Sequence, residues 1–378
     1  MTIPCWLLHG TRTRACMHTR ARRRPRAGWM ELACARRGAH QGARAQLPKR
    51  GMLATGARQC IFLAMWAAAA VTAAEPRPEV VAPAPANSSS TSSTSSLCHL
   101  SFYTCLGNPF PCRDWGFIPA DQKGWLTTGF TNDTTLVRAG AEAGIVSLFY
   151  IGDIFFEFDK GLRPDYAERW HVRAQEVEEL ITSGSIVGFF VGDELVSGKK
   201  ISWEDIVTAV RLLSPLKSKH PHLFVWQNEG GTGWESKLPS GMLPAEIDVI
   251  SIDDYAKSPN ATRSWYTETL YQVLNASHQR VFIVPGSFGS RVDPQKSLAE
   301  FSLAMVAAAY AYHQWALEDP MVYGIVPWHW EARKVGQTSA YKEVGTSEMP
   351  ALIKAWAGIG RTVLSRRAAG HCNVFPPG

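Results

Sequence analysis

The sequence IVGFFVGDEL at residues 186–195 contains an almost unbroken apolar run at 186–191, and two adjacent acids, Asp193 and Glu194, follow that run. An apolar run without polar alternation is typical of a parallel strand that is buried on both faces. Five other runs have the same character, at 145–151, 223–227, 247–252, 281–284 and 322–326. Two fainter strands are expected at 100–105 and 125–130, which brings the predicted strand count to eight.

Helical patterns separate these runs. Apolar residues recur at helical spacing in 166–181, 301–312 and 352–363, and Ser202 and Ser347 stand where helix N-caps are expected. The β-then-α order repeats roughly every 25 to 40 residues, and no glycine-rich phosphate loop follows the first strand. The sequence therefore predicts the α/β class and a single (β/α)8 TIM barrel rather than a doubly wound sheet.

Three segments precede the predicted barrel domain, which spans 98–378. Residues 1–51 form a basic leader with 12 Lys and Arg against one acid. Residues 52–74 have the basic start, apolar run and small residues of a signal peptide, and 75–97 form a Pro-, Ser- and Thr-rich linker that we expect to be disordered. The leader is either a second targeting element or an extension upstream of a true start at Met52, and we favour the extension.

Charge and apolar length limit the classes of partner. The net charge of +6 comes from the leader, and the remaining chain carries −5, so no nucleic-acid partner is expected. The apolar run at 60–71 is shorter than the roughly 20 residues of a spanning helix, so no stable membrane span is expected. These features predict a protein that is secreted or lies in the lumen of the secretory pathway.

Cysteines and sequons agree with that compartment. An even number of cysteines follows the predicted signal peptide, which is consistent with disulfides, and a bridge from one of the first three to the last would join the two ends of the domain. The pairing itself stays open. The four are Cys98, Cys105, Cys112 and Cys372. Glycosylation sequons begin at Asn132, Asn260 and Asn275.

Acids and aromatic residues follow most of the predicted strands. Because the carboxyl ends of barrel strands meet at one rim, we expect these side chains to share one site. Neighbouring carboxylates raise one pKa and leave another ionised, which a general acid and a partner carboxylate require. The acids are Asp153, Asp193, Glu194, Glu229, Asp253, Asp254 and Glu331, and the aromatic residues are Trp226, Tyr255, Trp328 and Trp330.

Three motifs carry a resemblance to a known class. GFFVGDEL at 188–195, IDVISIDDY at 247–255 and GIVPWHWE at 324–331 resemble the TIM-barrel glycoside hydrolases, in particular those with a Gly-x-x-x-x-Asp-Glu fourth strand. The similarity spans about residues 98–365 and implies that Glu194 is the acid/base and that the tryptophans after strand eight form a sugar platform. Two departures stand out. No carboxylate follows strand seven at 281–289, and the adjacent Asp193 and Glu194 do not form the carboxylate relay of chitinase-type enzymes.

The sequence thus predicts a glycosidase with a carbohydrate substrate, no metal and no cofactor. Glu194 is the expected general acid and Asp254 the first choice for its partner, with Glu229 and Glu331 as alternatives. The expected substrate-binding residues are Asp153, Asp193, Trp226, Asp253, Tyr255, Trp328 and Trp330. The alternative is a catalytically inactive barrel that binds carbohydrate or has a structural role, because strand seven lacks its acid. The sugar, the linkage and the stereochemistry stay open.

Overall fold

The computed structural model describes residues 95–102, 124–231, 233–255, 257–290, 298–330, 333–334 and 342–372. All of them belong to one unit that spans 55–378. The predicted leader, the predicted signal peptide and all but the last three residues of the predicted linker lie outside the described residues, as do Cys105, Cys112 and Glu331.

Eight parallel strands form one sheet, and their order along the sheet is β1-β8-β7-β6-β5-β4-β3-β2. The two ends of that order are joined by a backbone hydrogen bond of 3.2 Å, which Thr127 N donates to the carbonyl oxygen of Leu100. This bond brings the two ends of the sheet together in a nearly closed barrel, which fits the predicted α/β barrel. The strands are β1 His99–Leu100, β2 Thr128–Thr131, β3 Val146–Tyr150, β4 Ile186–Asp193, β5 Phe224–Gly230, β6 Val249–Asp253, β7 Arg280–Ile283 and β8 Val322–Ile325.

Helices surround the barrel. The longer ones are α1 Thr134–Glu142, α2 Tyr166–Thr182, α3 Trp203–Val210, α4 Pro259–Trp265, α5 Leu298–Glu318 and α6 Pro350–Ala368. Shorter helical segments are Gly152–Phe155, Arg211–Leu213, Ser214–Lys219, Glu235–Lys237, Pro239–Gly241, Tyr266–Leu270, Tyr271–Val273 and Thr346–Glu348. Short antiparallel pairs join Phe156–Glu157 to Gly161–Leu162, and Lys342–Val344 to both Gly289–Ser290 and Arg333–Lys334. Within the described part of the chain, no helix is long and apolar enough to cross a membrane.

The two predicted helix caps have different outcomes. Ser202 caps α3, because its hydroxyl accepts a hydrogen bond from the amide of Asp205 in a capping box. The prediction for Ser347 is wrong. Ser347 lies inside the short segment Thr346–Glu348, and α6 begins at Pro350, whose ring fixes the backbone angle that a first helical turn needs.

Alternate residues of each strand face opposite sides of the barrel wall. On β6, Val249 packs in the barrel interior, whereas Ile250 and Ile252 pack in the layer between strands and helices. The interior of the described barrel is filled mainly by aromatic rings. Those rings are Phe130, Tyr150, Phe190, Phe224, Trp226, Phe282, Tyr323 and Trp328.

The amino-terminal end of the barrel is closed by the two ends of the domain. Cys98 and Cys372 form a disulfide with their Cα atoms 5.4 Å apart, which agrees with the predicted bridge between the first cysteines and the last. Beside it, Arg367 of α6 donates hydrogen bonds to the carbonyl oxygens of Cys98 (2.7 Å) and Thr127 (2.8 Å). The carboxyl ends of the strands lie at the opposite rim.

Candidate functional site

The two-residue period of the strands sorts the strand-end acids into inward and outward groups. Val249 faces the interior, so Asp253, four residues later on β6, faces the interior as well. Asp254 then faces the helix layer. On β5 the interior residue Phe224 likewise places Asn228 inside and Glu229 outside.

A hydrogen-bonded chain orients the amide of Asn228 toward the acids. Trp226 Nε1 donates to Ser251 Oγ (2.8 Å), Ser251 Oγ donates to Asn228 Oδ1 (2.5 Å), and Asn228 Nδ2 donates to Asp193 Oδ1 (2.7 Å). Because the hydroxyl of Ser251 already accepts from Trp226, its proton fixes which end of the Asn228 amide faces Asp193. Trp226 itself is fully buried and stacked on Phe190 at 4.2 Å, so it is a packing residue and not the sugar contact that the sequence predicts.

Asp253 is the acid whose pKa is raised most clearly. Burial and then the negative charge of Asp193 raise the pKa of Asp253 well above its ordinary value, Glu194 raises it further, and Tyr255 and Asn228 partly counteract this. Its Oδ1 is buried and has no hydrogen-bond partner among the residues that the structure describes. Burial and the neighbouring negative charges thus both favour the protonated form of Asp253.

Glu194 begins the loop after β4 in the left-handed backbone region, with φ at 51°. Its amide donates to the carbonyl oxygen of Asn228 (2.9 Å), and its carboxyl lies over Gly230, where a Cβ would stand 2.8 Å from Oε1. Burial and the charge of Asp193 raise the pKa of Glu194, and the ammonium of Lys199 opposes them. Strained backbone of this kind is concentrated at functional sites.

The structure corrects the choice of Asp254 as partner. Its carboxylate is 2.5 Å from the ammonium of Lys257, which itself lies over the ring of Trp265 at 4.8 Å. The charge of Asp254 contributes to the raised pKa values of Tyr266 and Tyr312, both on the helix side. Asp254 thus faces the helices, and its neighbour Asp253 faces the site.

Glu229 is fully buried on the outer side of β5, beneath the loop after β4. Its carboxyl accepts hydrogen bonds from the amides of Val196 and Ser197, the hydroxyl of Ser197 and the amide group of Gln227. Burial raises the pKa of Glu229 to about 7, against these hydrogen bonds. This position corrects the alternative in which Glu229 contacts substrate, while Glu331, the other alternative, lies outside the described residues.

The aromatic residues expected at the rim separate into two groups. Tyr255 is stacked on Trp328 (ring centroids 5.8 Å apart, planes at 25°), and the edge of Phe288 meets Tyr255 at 5.5 Å. Trp330 is buried in the outer layer with its ring 5.1 Å from Phe102, an arrangement that favours packing over the predicted contact with sugar. Of the two tryptophans that follow β8, Trp328 packs with the interior residues and Trp330 packs in the outer layer.

Asp153 lies at the edge of the site. It is exposed in the short helical segment Gly152–Phe155 after β3 and accepts a hydrogen bond from Asn132 Nδ2 (3.1 Å). Burial, and then the charges of Asp153 and Asp193, raise the pKa of Tyr150. Tyr150 and Asn228 were not among the predicted site residues. A polar residue at an inward position of an apolar strand is the signal that could have identified them.

The arrangement can transfer protons and bind a polar ligand against rings. Among the described residues, no group of three or more His, Cys, Asp or Glu is placed to hold a metal ion. The negative charge of Asp193 raises the pKa of both Glu194 and Asp253, so these three carboxyls influence one another at the rim.

No protein-family model and no curated protein matches the chain. Several solved structures are similar to it at low identity. One is a GH2 β-galacturonidase from Eisenbergiella tayi bound to galacturonate (TM-score 0.45, 11% identity, 64% of this chain and 46% of that chain). Others are ScGas2 in complex with compound 8 (0.42, 13%, 66% and 61%) and Bacteroides uniformis β-glucuronidase 2 bound covalently to an aziridine (0.40, 14%, 63% and 31%). This chain spans less than two thirds of each of these proteins.

Proposed function

We propose that the protein is a secreted glycoside hydrolase that cleaves O-glycosidic bonds, with Glu194 as general acid and Asp253 as the partner carboxyl. The observation that carries this proposal is the inward placement of Asp253 beside Asp193 and Glu194, with the pKa of Asp253 raised well above its ordinary value. Acid-catalysed glycoside cleavage needs one protonated and one ionised carboxyl at the same site.

In this proposal the position of one proton gives each carboxyl its role. A proton on Glu194 removes one of the charges that raise the pKa of Asp253, and the hydrogen bonds from Tyr255 and Asn228 favour the ionised form of Asp253 against burial and the charge of Asp193. In that state Glu194 protonates the leaving oxygen, and the carboxylate of Asp253 acts on the sugar either as nucleophile or through a water molecule. Asn228 supports this state because its amide donates to the acids and stabilises their negative charge.

Tyr255, which is partly exposed, supplies the surface on which a sugar would bind, and the buried ring of Trp328 supports it from the interior side. Their parallel rings form a two-ring stack next to Asp253, with Phe288 against it. Aromatic faces of this kind bury the C–H face of a pyranose, while the carboxyls accept its hydroxyl protons. We therefore propose these two residues as part of the sugar subsite.

The proposal of secretion rests on the amino-terminal pattern and on the cysteines. The signal-like segment at 52–74 precedes the domain, and the disulfide between Cys98 and Cys372 is of a kind that persists in oxidising compartments. We propose Met52 as the start of the secreted precursor.

The test is a hydrolysis assay on the chain expressed from Met52 and secreted. A panel of aryl glycosides and soluble polysaccharides is scored for released phenol and reducing ends, and the anomer of the first product is read by proton NMR. We expect at least one substrate to be cleaved, and Asp253→Asn to lose about 100-fold or more in rate while Asp254→Asn keeps it. Binding of a polysaccharide without any cleavage would instead support the inactive carbohydrate-binding barrel, and unchanged turnover in Asp253→Asn would remove it as partner.

A further inference from the structure

The loop that carries Glu194 rests on a single buried carboxyl. Oε1 of Glu229 accepts hydrogen bonds from Val196 N (3.1 Å) and Gln227 Nε2 (2.6 Å). Oε2 accepts from Ser197 N and Ser197 Oγ, both at 2.9 Å. Three of the four donors belong to the turn directly after Glu194, so the carboxyl of Glu229 fixes this turn against β5.

We propose that Glu229 is a positioning residue that fixes the turn 195–198 and thereby the orientation of the Glu194 carboxyl. The role in catalysis rests on the function proposed above, whereas the role in holding the turn does not. Glu229 has no exposed surface and faces away from the barrel axis, so it acts through the loop and not on a substrate.

The backbone of Glu194 forms hydrogen bonds both to β5 and to the residues at the end of the turn. Its amide donates to the carbonyl oxygen of Asn228 on β5 (2.9 Å), and its own carbonyl oxygen accepts from the amides of Gly198 (2.8 Å) and Lys199 (3.0 Å). The turn therefore sets the direction in which the side chain leaves the backbone. A shift of the turn therefore displaces the backbone from which the side chain of Glu194 leaves.

Gly230 also brings the side chain of Glu194 close to the hydrogen-bonded group formed by Glu229 and the turn 195–198, which we call the clamp. The amide of Gly230 donates to Ser197 Oγ (2.9 Å), the same hydroxyl that donates to Glu229. A Cβ on Gly230 would stand 2.8 Å from Glu194 Oε1 and 3.0 Å from Ser197 Oγ. The clamp and the carboxyl of Glu194 thus share one close contact at the end of β5.

Only a carboxyl satisfies all four donors. A glutamine at 229 would present an NH2 group in place of one oxygen, and each oxygen accepts from a backbone amide. In either orientation of the glutamine, one amide of the turn would lose its acceptor and meet a second donor. Leaving a buried donor unsatisfied is unfavourable enough for the turn to shift away from β5.

The experiment compares Glu229→Gln with Asp248→Asn. Asp248 is a matched control because it is also a buried acid that accepts a backbone amide, from Val225 (2.7 Å), yet it precedes β6 at the opposite end of the barrel. Turnover is measured on aryl glycosides with poor and good leaving groups, and amide hydrogen exchange is measured over 194–200. Thermal unfolding is recorded for every variant.

We expect Glu229→Gln to lower kcat by about 10- to 100-fold on the poor leaving group, with KM changed less than about threefold. On the good leaving group most of the loss should disappear, because a misplaced general acid matters less there. Exchange of the Val196 and Ser197 amides should become faster. Asp248→Asn should reduce thermal stability and leave kcat and exchange over 194–200 unchanged.

The outcomes separate this inference from the function proposed above. Unchanged exchange at Val196 and Ser197 in Glu229→Gln would overturn the inference, and so would an equal loss of kcat on both leaving groups. Faster exchange in a protein that cleaves no glycoside would support the clamp and contradict the hydrolase. A loss of kcat in Asp248→Asn equal to that in Glu229→Gln would reduce the effect to general destabilisation and overturn the positioning role.

Discussion

Replacing Gly230 by alanine moves the Glu194 carboxyl without removing any functional group. The new Cβ would stand 2.8 Å from Glu194 Oε1, and ordinary contact begins at 3.4 Å, so the oxygen must move by about 0.6 Å. Because misplacing a reacting group by about 1 Å costs on the order of 100-fold, we expect turnover to fall about 10-fold. The contact lies at the end of a flexible side chain, so the free energy of unfolding should change by less than about 1 kcal/mol.

The assay is steady-state hydrolysis of the best substrate from the panel, with thermal unfolding in parallel. Gly358→Ala on α6 is the matched control, since nothing lies within 4 Å of its new Cβ and neither turnover nor folding should suffer. Full activity in Gly230→Ala at unchanged stability would refute the placement of the Glu194 carboxyl over Gly230. A loss of activity that follows a large loss of stability would refute the claim that the effect is local.

Three further predictions concern stability and processing. The pKa of Glu229 is 4.5 in the unfolded chain and about 7 in the folded protein, so the folded state binds the extra proton and the free energy of unfolding should fall by at most about 3 kcal/mol as pH rises from about 4.5 to 7. Urea unfolding of Glu229→Gln should lack this decrease, and an equal pH dependence in both proteins would contradict the prediction. Reducing the disulfide between Cys98 and Cys372 should lower the free energy of unfolding by about 2–4 kcal/mol, and a urea midpoint indifferent to reductant would count against the bridge. N-terminal sequencing of the secreted product should begin near Glu75, whereas the Arg-rich leader on the mature protein would disprove a start at Met52.

The barrel was predictable from the sequence because its strands are buried on both faces. Such strands read as continuous apolar runs, and all eight predicted strands have a counterpart in the structure. The rim was predictable for the same reason, since the carboxyl ends of parallel strands meet at one end of a barrel. The two short strands β1 and β2 were the faintest, because few residues contribute to each pattern.

At the end of each strand, the sequence located the site residue only to within one of two adjacent positions. Asp253 and Asp254 are adjacent, and their side chains point to opposite sides of the barrel wall, so the strand pattern alone gives a pair of candidates. The polar Ser251 between apolar neighbours marks the inward side of β6 and would have selected Asp253. Trp226 shows why an aromatic residue near a strand end is a weak predictor of a ligand contact. Such a ring fills the core or lines the site depending on its depth along the strand, and Trp226 lies in the core.

The central claim is that Glu194 gives a proton to the leaving oxygen, and the ratio of turnover numbers on two leaving groups tests it most directly. Glu194→Gln keeps the shape of the side chain and removes its titrating proton. We expect the variant to lose about 100-fold or more on a natural glycan, and much less on an aryl glycoside whose phenol leaves without protonation. Glu179→Gln, at an exposed position on α2, should match the unmodified protein on both. Unchanged turnover of Glu194→Gln on the natural glycan would contradict the account.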